Sequence, residues 1–477
     1  MRLLKIILAF VFLLSTNRAI YGADYSDSNF TYKYSKTQKF ARVETTKKKT
    51  ATSLTIPSKI TVSGVSYPVT QIGDYALSDL QNLKSVTIPS SVTEIRSGAF
   101  SNCFELRSIK IPSKVTKISD YCFSMCLELT EVSLPKGLVE IGEGAFMYCG
   151  KIEIINWPST LTKVGGYAFN GAKLPELVAL PAACVEVGDE AFRATDVVNF
   201  QLPSKMTSIG KKAFADNGNL LGLTMPTSVN TIGDLAFFGN NELMYVTLPQ
   251  TIGRMGEGVF MDCDKMNQVY WSPSLTTVPN RTFSRCEELE WITLPDNVTS
   301  IGDEAFCECY SLKEFHFPTQ LKTIGNNAFD NCNLGEVTFP SGLTKIGDAA
   351  FYANSRLETL TIPASVTEIG SHAFDYNPHL DTIKVESATP PILGSDGFNQ
   401  YTYFSAMLMV PEQSVMAYKR AGEWCNFQYI NDRPTGIDEI SSENDDEKDL
   451  YDLQGQRSTS SKGFKINPRT RRVEIRR

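Results

Sequence analysis

From residue 54 to about 400 the chain repeats one pattern of apolar and polar positions. Residues 83–105 read LKSVTIPSSVTEIRSGAFSNCFE, and residues 106–128 read LRSIKIPSKVTKISDYCFSMCLE. Each unit follows Leu-x-x-(Val/Ile)-x-(Ile/Leu)-Pro-x-x-(Val/Leu)-Thr-x-Ile-Gly-x-x-Ala-Phe-x-x-(Cys/Asn). The phenylalanines recur at Phe100, Phe123, Phe146, Phe169, Phe192, Phe214, Phe237, Phe260, Phe283, Phe306, Phe329, Phe351 and Phe374, in steps of 22 or 23 residues. Weaker rungs flank them at Leu77 and Phe398. A fixed period of this size marks a repeat array rather than a set of separate globules.

Within a unit the period changes. Val86 and Ile88 alternate, as one face of a strand requires, and Pro89, which has no N–H to donate, ends the segment. Val92 and Ile95 mark a second extended stretch. The Gly-x-x-Ala-Phe segment is expected to be a single helical or 3₁₀ turn. Arg96, Ser119 and Pro279 replace its glycine, so distorted turns are expected there. One unit cannot bury its own apolar side, whereas stacked units bury one another. The expected fold is a repeat solenoid, with short parallel β-strands and short helical turns. It would hold about 13 full repeats plus caps, and about 15 rungs at ~4.8 Å give a length on the order of 70 Å.

The units built on IPSSVTEIRSGAFSNC and IPASVTEIGSHAF resemble the BspA-like leucine-rich repeat family of bacterial surface proteins. That resemblance implies a leucine-rich solenoid with adhesive or host-interaction roles. Around the array, residues 1–22 have the layout of a secretory signal peptide: Arg2 and Lys5, an apolar run from Ile6 to Leu14, then small residues at Gly22 and Ala23. Residues 23–70 form an expected N-terminal cap, with FTYKYSKTQKFARVE at 30–44 as a hairpin, and 71–400 the solenoid. Residues 401–432 are an expected C-terminal cap, a strand followed by a helix, and 433–450 an acidic linker. The tail, 451–477, holds three expected short strands in YDLQGQR, KGFKI and RRVEIRR. It resembles C-terminal modules on exported Bacteroidetes proteins. Two readings stay open for it: a sorting signal for outer-membrane export machinery, or a capping remnant.

Charge narrows the function. The formal net charge is −7, and removing residues 1–22 takes away Arg2, Lys5 and Arg18, giving −7 − 3 = −10. An acidic chain of this kind lacks the basic footprint of a nucleic-acid binder. No stretch after residue 22 is long and apolar enough to span a membrane. Seven of the 11 cysteines share one slot of the repeat: Cys103, Cys126, Cys149, Cys263, Cys286, Cys309 and Cys332. Asn217, Asn240, Asn354 and Asn377 take the same slot elsewhere. A lone Asn cannot replace half of a disulfide, so buried free thiols facing the turn backbone are expected. Cys122 with Cys126, and Cys307 with Cys309, lack the paired spacing of a structural zinc site. No HExxH, GxSxG or phosphate-cradling glycine loop occurs. No cofactor and no enzymatic activity are expected.

The exposed strand positions carry the remaining signal. The second residue before each repeat proline is usually small or Thr, but it is Tyr270 and His316 on two rungs, Tyr270 being aligned through Val269 because Pro273 is displaced by one. The fourth residue before the proline supplies Tyr245 and Trp291, on rungs expected to adjoin. Trp157 and Trp271 fall on inward positions and are expected to be core. Tyr245, Tyr270, Trp291 and His316 are therefore the candidate ligand-binding patch, on four consecutive rungs. The expected role is binding of a protein or glycan on host or neighbouring cells; the alternative is an envelope spacer without a dedicated ligand.

Overall fold

The computed structural model describes residues 23–150 and 152–432, and two later strands, Gly463–Ile466 and Val473–Arg476. The expected signal peptide, the acidic linker and the YDLQGQR segment lie outside the described residues. The chain divides into two units, one ending at Asn431 and one spanning Asp432–Arg477. In the second, the two strands pair as an antiparallel hairpin, with Phe464 opposite Ile475.

The first unit is a parallel β-solenoid of about 16 turns with little helix. Each full turn offers two short strands. Glu131–Ser133, for example, pairs with Ser108–Lys110 on one side and Ile154–Ile155 on the other. Farther along the same turn, Glu140–Ile141 lies between Lys117–Ile118 and Lys163–Val164. The register advances by one repeat at each step, so equivalent residues stack in columns.

The Gly-x-x-Ala-Phe segment is not a helical turn. It is a run of overlapping tight turns with left-handed residues four positions apart, such as Tyr121 (φ 55°) and Met125 (φ 61°), or Arg281 (φ 56°) and Arg285 (φ 61°). Backbone bonding explains the choice. The N–H groups of Cys122, Ser124 and Cys126 close turns onto the carbonyls of Ser119, Tyr121 and Phe123. Those of Tyr121, Phe123 and Met125 run instead to Glu143, Ala145 and Met147 of the next rung, at 2.7–2.8 Å. Alternate amides thus serve the turn and the stack, and none of these six is left unpaired. A helix would direct all of them within the rung.

The phenylalanines fill the interior. From Phe100 to Phe398 each ring stacks on the next, with centroids 5.2–5.8 Å apart and planes within 20° of parallel. Those separations mean slipped stacks, the arrangement the ring quadrupole favours. Trp157 and Trp271 are half-buried against this ladder, Trp157 edge-on to Phe169 and Phe192. The Cys/Asn slot lies beside it and faces the turn backbone. Cys126 Sγ donates to the Phe100 carbonyl, Cys286 to that of Phe260 and Cys332 to that of Phe306, at 3.1–3.4 Å. Asn240 and Asn377 donate through Nδ2 to the equivalent carbonyls of Phe214 and Phe351. In these rungs one small donor satisfies the same acceptor, which is why the two residue types interchange.

Both ends are closed. Ala23–Ser26, Phe30–Ser35 and Phe40–Thr46 form an antiparallel meander, whose last strand pairs with Val65–Ile72, and that in turn with Glu94–Ile95 of the array. At the other end Met407–Met409 extends the first-strand sheet, followed by the short helix Val415–Tyr418. Trp424 Nε1 donates to Pro391 O and Tyr418 Oη to Ser387 O, both at 2.8 Å, which ties the preceding loop to the cap.

The glycine that precedes the turn is required by close approach. A Cβ on Gly325 would stand 2.6 Å from the amide nitrogen of Asp303 and from the carbonyl carbon of Gly302. This glycine also donates its N–H to the carbonyl of the β-branched residue that ends the second strand of the preceding rung, Gly325 to Ile301 at 2.9 Å and Gly302 to Val278 at 2.8 Å. Where the glycine is replaced, the outcome differs by residue. Arg96 keeps the bond, to Ile72 O at 3.0 Å. At Ser119 the hydroxyl reaches Ile95 O instead, and at Pro279 there is no N–H to give. The second-strand ladder breaks at both: Lys117–Ile118 and Thr277–Val278 each begin a new sheet. The turns themselves survive, so the distortion expected there falls on the ladder.

Two substitutions test this account. Gly325→Ala is expected to destabilise the chain by about 1–3 kcal/mol, the usual cost of overpacking. Pro279→Gly is expected to slow amide exchange at residues 254–256 and 276–279, by giving Met255 O a donor and removing the Cβ. Hydrogen exchange read by mass spectrometry checks both; unchanged exchange around the Pro279→Gly junction would contradict the role assigned to the proline.

Candidate binding surface

The first strand of each turn places alternate residues outward, because successive side chains point to opposite faces. Val246, Val269 and Ile292 are buried, while Tyr245, Tyr270 and Trp291 are 41%, 51% and 47% exposed. His316 is also exposed. Most equivalent positions hold Thr or another small or polar residue: Thr87, Lys110, Ser133, Thr224, Thr293, Thr338.

Register separates these four residues into two columns. Tyr245 lies opposite Gln268 and Thr247 opposite Tyr270, and Tyr270 bridges to Thr293. Gln268 therefore stands between Tyr245 and Trp291, which are two rungs apart rather than adjoining, roughly 10 Å at the usual strand spacing. Tyr270 occupies the other column with Thr293 and His316. Tyr245 and Tyr270 lie on regular strands, whereas Trp291 and His316 lie on extended segments outside the regular strands. Bulky inward residues coincide with that loss of pairing. Phe315, Phe317 and Phe339 take positions held mostly by smaller aliphatic residues elsewhere, with tilted ring contacts of 4.8 Å and 5.3 Å.

The neighbourhood of each aromatic differs. A Cβ added to Gly222 would meet the Tyr245 ring at 2.3 Å, so that ring lies over the glycine of the preceding rung. Trp291 instead lines an open polar groove with Asn267, Gln268, Glu288, Glu290 and Ser311. Glu288 is held by Lys265 at 2.7 Å. The side chains of Asn267, Gln268, Glu290, Trp291 and Ser311 make no hydrogen bond among the described residues. The groove was not legible in the sequence, because it joins side chains from three rungs whose register was needed first. Gln268, placed between two aromatics, is the residue that would have marked it.

Burial pushes the Cys103 and Cys307 thiols up to about 12 and Cys184 to about 11. Such thiols stay protonated at neutral pH, the opposite of a reactive cysteine. Among the described residues no group of three or more His, Cys, Asp or Glu side chains is placed to hold a metal ion, and no helix is long and apolar enough to cross a membrane. Asp330 is the most displaced carboxyl. Burial, reinforced by Glu308, lifts it from 3.8 to about 6.

Fold and face together define a leucine-rich repeat solenoid, and comparison places it within a family. The profile of the BspA type leucine rich repeat region matches residues 47–175, 185–299 and 276–404, in six copies. The chain belongs to that family. No curated protein matches it in sequence. Among solved structures, a leucine-rich repeat protein from Bacteroides ovatus is 23% identical, with 76% of this chain and 95% of that one covered at a TM-score of 0.58; this likeness is one of fold. A leucine rich cell surface protein from Faecalibacterium prausnitzii is 21% identical, with coverage of 76% and 95% and a TM-score of 0.36. The pneumococcal vaccine antigen PcpA is also 21% identical, with coverage of 82% and 89% and a TM-score of 0.32.

Asp330 yields a pH prediction. Its folded-state pKa lies above the unfolded value, so the folded chain binds the proton more tightly. Between about pH 4 and 6 stability from this group therefore falls as pH rises, and the ionised form opposes folding at pH 7. Asp330→Asn is expected to raise the denaturation midpoint at pH 7 and to lose that advantage below about pH 4. An equal gain at both pH values would contradict the assignment.

Proposed function

We propose that this chain is an exported surface protein that uses its strand face to bind a protein or glycan on host or neighbouring cells. One observation carries the reading: large, half-exposed aromatics cluster on three successive rungs, Tyr245, Tyr270 and Trp291, of a face that elsewhere carries mainly Thr and other polar or charged residues, with Leu177 exposed as well. Aromatic side chains supply broad contact area with a polar tip and are enriched at binding hot spots. Membership of a family of surface-associated repeats supports export, as does the signal-peptide layout of residues 1–22. The C-terminal tail, with its hairpin of Gly463–Ile466 and Val473–Arg476, is proposed to engage outer-membrane export machinery.

A spacer role is favoured by one feature. The Tyr245 ring covers Gly222, a structural task that needs no ligand. Tyr270 and Trp291 have no such duty, so they discriminate between the two readings.

The test is attachment of the purified chain to intact target cells, before and after Tyr270→Ala with Trp291→Ala. Loss of a hot-spot side chain costs at least ~2 kcal/mol, roughly thirtyfold in affinity. Attachment is expected to fall by that factor or more, with the melting curve retained. Unchanged attachment would remove the patch from the interface. Absence of any attachment, with antibody reaching the chain only after cell lysis, would contradict the surface reading as a whole.

A further inference from the structure

The groove beside Trp291 has a chemistry of its own. Its lining is one aromatic ring, two amides, a hydroxyl and two carboxylates: Trp291, Asn267, Gln268, Ser311, Glu288 and Glu290. Several surface charges around it are already paired between neighbouring rungs. Lys265 pairs with Glu288, Arg285 with Asp262, and Arg281 with Glu257. Tyr310 Oη donates to Glu308. The amides, the hydroxyl and Glu290 are left with their hydrogen-bonding capacity unused. The face is open, and only Trp291 contributes a large apolar surface to it.

From this combination we infer that the groove is a subsite for a neutral carbohydrate, an assignment that rests on the binding-module reading above. A pyranose ring presents a patch of C–H bonds on one face, with partial positive charge that suits the negative face of an aromatic ring. Its rim carries hydroxyls, each both donor and acceptor, which match an amide or carboxylate two at a time. A protein anchor would want a desolvated apolar pocket ringed by further apolar contacts, and this groove offers one ring among polar groups. Carboxylates at Glu288 and Glu290 set the charge preference. They accept hydrogen bonds from neutral hydroxyls and repel the carboxylate of an acidic sugar. Tyr270, diagonally placed on the preceding rung, would extend the same platform toward a second sugar unit.

Tryptophan fluorescence reads this site directly. The chain has four tryptophans; Trp157 and Trp271 are half-buried and Trp424 is buried, so Trp291 is the exposed one. The purified full chain is titrated with maltohexaose, cellohexaose, mannohexaose, xylohexaose and chitohexaose, and with sialyllactose as the acidic comparison. At least one neutral oligosaccharide is expected to shift the emission to the blue and to shield it from acrylamide. Calorimetry is expected to show that binding is lost in Trp291→Ala, is kept within about tenfold in Trp291→Phe, which preserves an aromatic face, and weakens at least tenfold in Glu290→Ala. The Phe variant also guards against loss by misfolding. The assignment is overturned if none of the neutral sugars binds at millimolar concentration, or if sialyllactose binds more tightly than all of them. Should the sugars fail while cell attachment still depends on Tyr270 and Trp291, a protein ligand takes the groove and the binding-module reading stands. Should attachment fail as well, both fall.

Discussion

The close stacking of backbone on backbone is the constraint on which the rest of this molecule depends. Rungs spaced as strands in a sheet leave little room between equivalent residues, and each column must solve the same packing problem a dozen times or more. Glycine appears where a Cβ would strike the rung before it, phenylalanine where identical rings can slip-stack, and Cys or Asn where one carbonyl needs one small donor. Thr covers much of the exposed strand face, as suits a pleated surface. A solenoid of this kind is stable as a sum of such neighbour terms rather than through a single central core. Local faults therefore stay local: the ladder breaks at Ser119 and Pro279, yet the phenylalanine stack and the turns run through both junctions.

Much of this was legible because the repeat speaks many times. The Phe spacing, the two extended stretches and the Cys/Asn equivalence could be read from residue types alone. The missing glycines at Arg96, Ser119 and Pro279 were visible too, but the distorted turns expected there were not what followed: Arg96 keeps its bond, and at Ser119 and Pro279 the ladder breaks while the turns survive. The left-handed turn residues were harder. Tyr121, Met125, Arg281 and Glu304 hold positive φ without being glycine or asparagine, because inter-rung hydrogen bonds offset a cost of about 1–2 kcal/mol each. The signal was there in the equivalent rungs, where Gly98, Gly144, Gly171, Gly239 and Gly258 take those positions.

The candidate surface was legible by residue and not by arrangement. Alternation placed Tyr245, Tyr270 and Trp291 outward correctly. It could not show that Gln268 separates two of them, that Gly222 accepts the Tyr245 ring, or that Trp291 borders a groove. Each of those facts depends on which rung lies beside which, and the displaced Pro273 obscures the count in that region. Loss of regular strand at Trp291 and His316 coincides with the bulky inward Phe315 and Phe317, although Phe200 takes the same inward position as Phe315 on the regular strand Asn199–Gln201.

The central claim is that one part of the strand face, around residues 267–271 and 290–294, meets the partner while the turn side serves the stack. Hydrogen exchange of the chain free and bound to target cell-surface material tests this most directly. The account predicts added protection confined to those two segments and to their neighbours at 244–248. Protection centred on the turns at 279–286, or on the cap at 401–430, would contradict it.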